Sequence, residues 1–171
     1  KWLTDITQVQ CSDGILYIAP VLDCYRAEVV SLAMDTNMKK ELCIKAISDA
    51  YKLRNPGDGV IIHSDAGSQY TSIRLTEHLA LEDIAPSIGT VADAYDNCLM
   101  ESIIGLYKTE CIDTTIFHDG PYKTVLDVEL ATAAWVGWYN EERLHSSIDY
   151  TTPAEHETAY YTALNTEKQL I

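Results

Sequence analysis

Hydrophobic and polar positions change rhythm several times along the chain, and each change predicts an element. Residues 1–10 (KWLTDITQVQ) alternate well enough for a strand. GILYIAPVLDCY (14–25) predicts a second, entered through Ser12-Asp13-Gly14, and AEVVSLAMD (27–35) a third. Short turns between consecutive strands make an antiparallel meander. KKELCIKAISDAYKLR (39–54) then places Leu42, Ile44, Ala46, Ile47 and Ala50 near helical spacing, until Asn55-Pro56-Gly57 stops it. A β-branched run predicts a fourth strand over 59–63, followed by a short amphipathic helix over 71–82 and a fifth strand from Ile84 to Ile88. Helical periodicity returns from Asp96 to Cys111, with Leu99, Ile103 and Leu106 as its sheet-facing side, and again over 122–142.

Three antiparallel strands followed by alternating helices and strands describe an α/β fold, a five-stranded mixed sheet flanked by helices. The fourth strand, arriving through a helix, can lie beside the first. That crossover changes the strand order at a place where ligand sites tend to form. Asp5 on the first strand and Asp65 after the fourth would then be neighbours.

Composition adds bounds. The chain has 171 residues, 47% hydrophobic and 22% charged, enough for one domain with a real core. No apolar run has the length to span a bilayer and no signal peptide is visible. The first residue is Lys1, which suggests a fragment of something longer. Cys11, Cys24, Cys43, Cys98 and Cys111 form no C-x-x-C pair and no zinc-like spacing with the histidines, which favours reduced thiols in a cytosolic protein. The net charge of −14 argues against nucleic-acid binding unless divalent cations or a basic partner region offset it.

Individual acidic residues have ordinary explanations. Asp5 would be a solvent-facing strand residue, Asp65 a turn residue or an N-cap, and Glu101 part of a polar helix face with Asn97 and Lys108. Taken together, three carboxylates from two adjacent strands and a helix could converge on hard divalent cations, which take oxygen ligands.

The ordered motifs carry a resemblance. TDIT (4–7), HSDAGSQYTS (63–72), DNCLMES with YKTE (96–110) and WYNEERLHSSIDYTTPAEHE (138–157) resemble, in sequence and in order, the catalytic core of bacterial insertion-sequence transposases. These are relatives of retroviral integrases with a ribonuclease-H-like fold. The 35 residues (66–100) between Asp65 and Glu101, and a basic residue seven after the glutamate, match that family's pattern.

The resemblance implies that Asp5, Asp65 and Glu101 are the catalytic, metal-binding triad, holding Mg²⁺ or Mn²⁺, two ions when DNA is bound. It implies DNA contacts by Lys108, His63, Gln69, Asn97 and Arg143, with Ser68, Tyr70 and Ser102 shaping the site. Tyr139, Asn140, Arg143 and His145 match a C-terminal signature for which a structural role is equally open. The implied partners are DNA, as element ends and target, and further copies of the chain in a homo-multimer, in a bacterial, nucleoid-associated cytoplasmic setting with no membrane. An N-terminal helix-turn-helix region is expected to be missing here. Residues 1–117 would form the core and 118–171 a helical extension packed on it. The implied reaction is metal-dependent cleavage of DNA phosphodiesters followed by strand transfer. A nuclease that only hydrolyses, or a non-catalytic interaction domain, are the alternatives.

Overall fold

A computed structural model of the chain describes residues 1–56, 60–64, 85–88, 98–114 and 122–168. The expected helix over 71–82 lies outside the described residues. The sheet consists of β1 (Trp2–Thr4), β2 (Thr7–Cys11), β3 (Gly14–Asp23), β4 (Glu28–Asp35), β5 (Ile61–Ser64) and β6 (Ala85–Ile88). Its helices are α1 (Lys40–Arg54), α2 (Cys98–Tyr107), α3 (Val125–Glu141) and α4 (Pro153–Lys168).

The strand expected over 1–10 is divided at Asp5-Ile6 into β1 and β2, so Asp5 follows a strand instead of occupying its middle. Both pieces pair antiparallel with β3 in one register: Thr4 opposite Val21, Thr7 opposite Ile18. That register sets Asp5 opposite Pro20, which has no N–H to give the ladder. The break is therefore local. Read as one interrupted strand, β1 and β2 complete a five-stranded mixed sheet in the order β4, β3, β1, β5, β6. The β1–β5 and β5–β6 pairs are parallel and the others antiparallel.

Side-chain alternation continues through the break. Leu3, Val9 and Cys11 join one core cluster, while Trp2 joins the other with Ile6 packed against it. On β4 a register shift opposite Val21/Leu22 turns Val30 and Ser31 both toward α1: Val30 packs there and the Ser31 hydroxyl donates to the Ala46 carbonyl at 2.7 Å.

Two hydrophobic layers follow. On one face α1 buries Leu42, Cys43, Ala46, Ile47 and Ala50 against Trp2, Ala19, Val21, Ala33 and Ile62. On the other, α2 and α3 bury Met100, Ile103, Tyr107, Val128, Ala131, Trp135 and Tyr139 against Leu3, Leu16, Ile18, Leu22 and Val29. Complete burial of a side chain such as Leu16 or Leu22 contributes about 1.5–3 kcal/mol. The buried stripe of α2 is Met100, Ile103 and Tyr107, with Leu99 and Leu106 only partly covered. The expected helix 96–111 ends its α-helical part at Tyr107 and widens into a π-helical turn over Lys108–Ile112.

Helix starts are encoded locally. Thr124 and Asp127 form a capping box on α3, at 3.1 and 2.9 Å. Thr152 and Glu155 do the same for α4, at 3.1 and 2.9 Å, with Pro153 in the first helical position. Among the described residues no helix is long and apolar enough to cross a membrane.

Candidate active site

The site is built where β1 and β5 end. Their parallel pairing runs Trp2 opposite Ile62, Leu3 opposite His63 and Thr4 opposite Ser64. Asp5 comes directly after that last pair and is half-buried. Its Oδ1 accepts the Ile6 N–H at 2.7 Å, which fixes the carboxylate at the strand's end. The Thr4 hydroxyl, fully buried beside it, donates to the Pro20 carbonyl at 2.8 Å. Alternation puts Asp5 on the Leu3 face of the sheet, the face covered by α2 and α3. His63, paired with Leu3, belongs to that face too and is buried at 5% exposure.

Glu101 is exposed in the first turn of α2, next to the buried Met100. Lys108 is exposed one residue beyond the last α-helical position, at the start of the π-turn. Seven residues make nearly two α-turns, so Glu101 and Lys108 emerge on one side of the helix. Ser102, also exposed, spends its hydroxyl on the Cys98 carbonyl at 2.8 Å. Asp65, Ser68, Gln69, Tyr70 and Asn97 lie outside the described residues. Among the described residues, no three His, Cys, Asp or Glu side chains converge as a metal site.

The C-terminal signature proves densely engaged. Asn140 uses both ends of its amide on the backbone of Val29 in the edge strand β4: Oδ1 accepts from the N–H at 3.1 Å and Nδ2 donates to the carbonyl at 3.0 Å. Backbone groups that an edge strand would leave open are thereby closed. Tyr139 is fully buried between Trp135 and His145, with ring centroids 4.9 and 4.4 Å away. Arg143 forms a fork on Glu110, with Nε 3.0 Å from Oε1 and Nη2 2.8 Å from Oε1. Its Nη1 lies 3.3 Å from Nδ1 of His145. Any contact between Arg143 and DNA would be made with that fork in place.

Glu110 was not singled out in the sequence, although a signal exists. It falls on the inward stripe of α2 continued beyond Tyr107, where a carboxylate needs a cation. Arg143 supplies one, and the Trp135 indole N–H donates to Oε2 at 3.2 Å. Burial depresses the His145 pKa below the ordinary histidine value, and the Arg143 guanidinium adds to this against the pull of the Tyr139 carbonyl and Glu110.

Known proteins share this architecture and sequence. A family model described as Integrase core domain matches residues 1–94, and another of the same description matches residues 82–153. The chain is 41% identical over 165 residues to the putative transposase for insertion sequence element IS986/IS6110 of Mycobacterium tuberculosis (strain CDC 1551 / Oshkosh), covering 94% of this chain and 58% of that protein. It is 37% identical to the transposase for insertion sequence element IS629 of Shigella sonnei, covering 97% of this chain and 54% of that one. The chain thus spans less than two-thirds of these relatives. Among solved structures, the simian T-cell lymphotropic virus intasome in complex with the PP2A regulatory subunit B56 gamma contains a chain with the same fold (TM-score 0.72, 18% identity, 84% of this chain and 49% of that chain). The HTLV-2 integrase catalytic core domain in complex with magnesium, in its trimeric form, also shares it (TM-score 0.65, 16% identity, 90% and 93%). The fold is accordingly the ribonuclease-H-like one of integrase catalytic cores, and the chain belongs to the integrase core domain family.

Proposed function

We propose that this chain is the catalytic core of a DNA transposase, which cleaves phosphodiesters at the ends of an insertion sequence and joins the freed ends to target DNA. The observation that carries this reading is the parallel β1–β5 register. It ends at Thr4 and Ser64, and the next residues in sequence are Asp5 and Asp65. With strand alternation continued by one residue, Asp5 falls on the face covered by α2, the helix that bears Glu101. Similarity to insertion-sequence transposases over 94% of the chain supports the same assignment.

The donor set fits a hard divalent cation. All three acidic residues offer carboxylate oxygens, the ligands Mg²⁺ and Mn²⁺ prefer, and magnesium accompanies the HTLV-2 catalytic core. A pair of such ions, when bound, supplies Lewis acidity to the attacking and leaving oxygens of an in-line displacement. The protein's own part is placement. The Ile6 N–H holds the Asp5 carboxylate at the end of β1. Helix α2 brings Glu101 over the same face through Met100 and Ile103. Lys108, exposed on the Glu101 side of the helix, is the cation that would hold a DNA phosphate in line. His63 lines the face below, and Gln69, Asn97 and Arg143 complete the proposed DNA contacts. In the first step water attacks one phosphodiester, which is hydrolysed to a 3′-hydroxyl and a 5′-phosphate. In the second that 3′-hydroxyl forms a new phosphodiester with target DNA as one target phosphodiester breaks and its 3′-hydroxyl leaves, so neither step needs ATP.

We read residues 1–117 as the core and 118–171 as a helical extension packed on it, supported by the burial of Val128, Ala131, Trp135 and Tyr139 in the cluster that contains Leu3. The working assembly is proposed to be a homo-multimer on paired DNA ends in a bacterial cytoplasm. Dimeric and trimeric forms of the HTLV-2 core are in keeping with it.

The test is strand cleavage and joining by the full-length protein with Mg²⁺. Glu101→Gln, which keeps shape and removes charge, should lower both steps at least about a hundredfold while the protein still melts cooperatively. Undiminished cleavage by Glu101→Gln would leave the Glu101 assignment without support.

A further inference from the structure

We infer that Glu110, held by Arg143 and Trp135, is a positioning residue for Lys108, so that the C-terminal signature acts on the chemistry through the turn following α2. This rests on the proposed role of Lys108 at the scissile phosphate.

The turn is wide and would be soft if left alone. After Tyr107 the chain leaves the α-helical pattern, and the Asp113 N–H closes back on the Lys108 carbonyl at 2.8 Å, a span of five residues. Such a turn has fewer regular partners than a continued α-helix, and helix ends fray. Here the three residues after Lys108 are tied down. Thr109 donates its hydroxyl to the Gly105 carbonyl at 3.0 Å. Glu110 takes the Arg143 fork and the Trp135 indole. Cys111 is fully buried, and its carbonyl accepts the Tyr122 hydroxyl at 2.9 Å.

Of these ties, only Glu110 connects the turn to the far end of α3. Arg143 continues to His145, whose Nε2 lies 3.2 Å from the Tyr139 carbonyl, and the His145 N–H donates to the Thr151 carbonyl at 3.1 Å. A rigid corner thus stands behind an exposed lysine. Lys108 itself reaches solvent, two residues from a carboxylate whose side chain is only about a fifth exposed. A long ammonium side chain can find many positions, and a fixed backbone origin narrows that range on Glu101's side of the helix. An Arg–carboxylate fork suits this task because it fixes angle as well as distance.

The experiment is a double-mutant cycle in the full-length protein, read as the rate of strand joining at saturating DNA. Lys108→Ala and Glu110→Gln are made singly and together. Each single change is expected to slow joining by roughly ten- to a hundredfold, with KM for DNA little altered by Glu110→Gln. The double variant should be no slower than Lys108→Ala alone, because Glu110 acts through the lysine. Independent, multiplying losses, or full activity of Glu110→Gln, would overturn the positioning role while leaving Lys108 in place. If Lys108→Ala joins strands at the normal rate, the role of Lys108 falls and this inference with it. Should Glu110→Gln not fold, Trp135→Phe serves in its stead: it keeps an aromatic ring in the core, loses the indole N–H that Glu110 accepts, and is expected to show the same non-additivity with Lys108→Ala.

Discussion

His145 shows how much one side chain can be told to do by its neighbours. Arg143 is a donor only, so the imidazole nitrogen facing it must accept, and Nδ1 carries no proton. The proton then sits on Nε2 and is donated to the Tyr139 carbonyl. Protonating Nδ1 would bring a second positive charge against the guanidinium. This agrees with the depressed pKa, in which burial outweighs the hydrogen bond to the Tyr139 carbonyl, Arg143 adds to the depression and Glu110 opposes it. The folded chain therefore resists a proton that the unfolded chain accepts below about pH 6.5. Stability attached to His145 is complete above that value and drains as pH falls toward the folded pKa, by at most about 1.4 kcal/mol per pH unit. Urea unfolding at pH 7.5 and 5.5 checks this. His145→Gln should lose less stability than the parent between the two, whereas equal losses would remove His145 from the acid response. The sequence made the histidine visible as part of a motif. It did not reveal the tautomer, because that depends on Arg143 and Tyr139 meeting it in space.

Elements differ in how openly the sequence declares them. Helix α1 was legible because Leu42, Ala46, Ile47 and Ala50 recur on one side and Asn55 ends it in a left-handed conformation, with φ of 40°. The division of the first strand was not legible, since its cause is Pro20 in the strand opposite. Helix α4 was not separated from the extension, although Thr152-Pro153-Ala154-Glu155 is a strong local start signal. Its later residues are exposed on most sides, so periodicity says little. What holds α4 is a clasp of charges. Arg54 at the end of α1 donates to both oxygens of Glu157, at 2.9 and 3.1 Å, and pairs with Glu28 on β4. Arg26 adds a contact to Glu157 at 3.0 Å and donates to the Tyr161 hydroxyl at 2.9 Å. Burial pushes the Glu28 carboxyl upward, and the Arg54 charge pulls it back. Removing the central cation should therefore cost more than a surface pair does. Arg54→Ala is expected to lose about 3 kcal/mol and to speed amide exchange in α4 ahead of α1 and the central strands. Unchanged exchange over residues 156–166 would show that the clasp does not hold the helix.

At the scale of the whole chain, charge is the property that the site must answer. A chain at −14 repels DNA over most of its surface, and the proposed site gathers three of its 26 acidic residues at the place where phosphates would come. Two consequences follow from the same electrostatics. By themselves these 171 residues should bind duplex DNA weakly, and the residual binding should vanish as salt is raised. Divalent cations, by contrast, should be taken up by the folded state, because the proposed site joins Asp5, at the end of β1, to acidic residues distant in sequence, which only folding can do. A ligand present at a hundred times its Kd and bound only by the native state adds about 2.7 kcal/mol. For a chain of this size, that raises the Tm by roughly 5–10 °C. Thermal melts with MgCl₂ against NaCl of equal ionic strength separate site binding from screening of the net charge. The parent should gain several degrees from Mg²⁺ beyond the NaCl control, and Asp5→Asn or Glu101→Gln should lose most of that gain. A gain that NaCl reproduces, or that survives both substitutions, would mean that the cations only screen the surface and that these carboxylates do not form the proposed metal site.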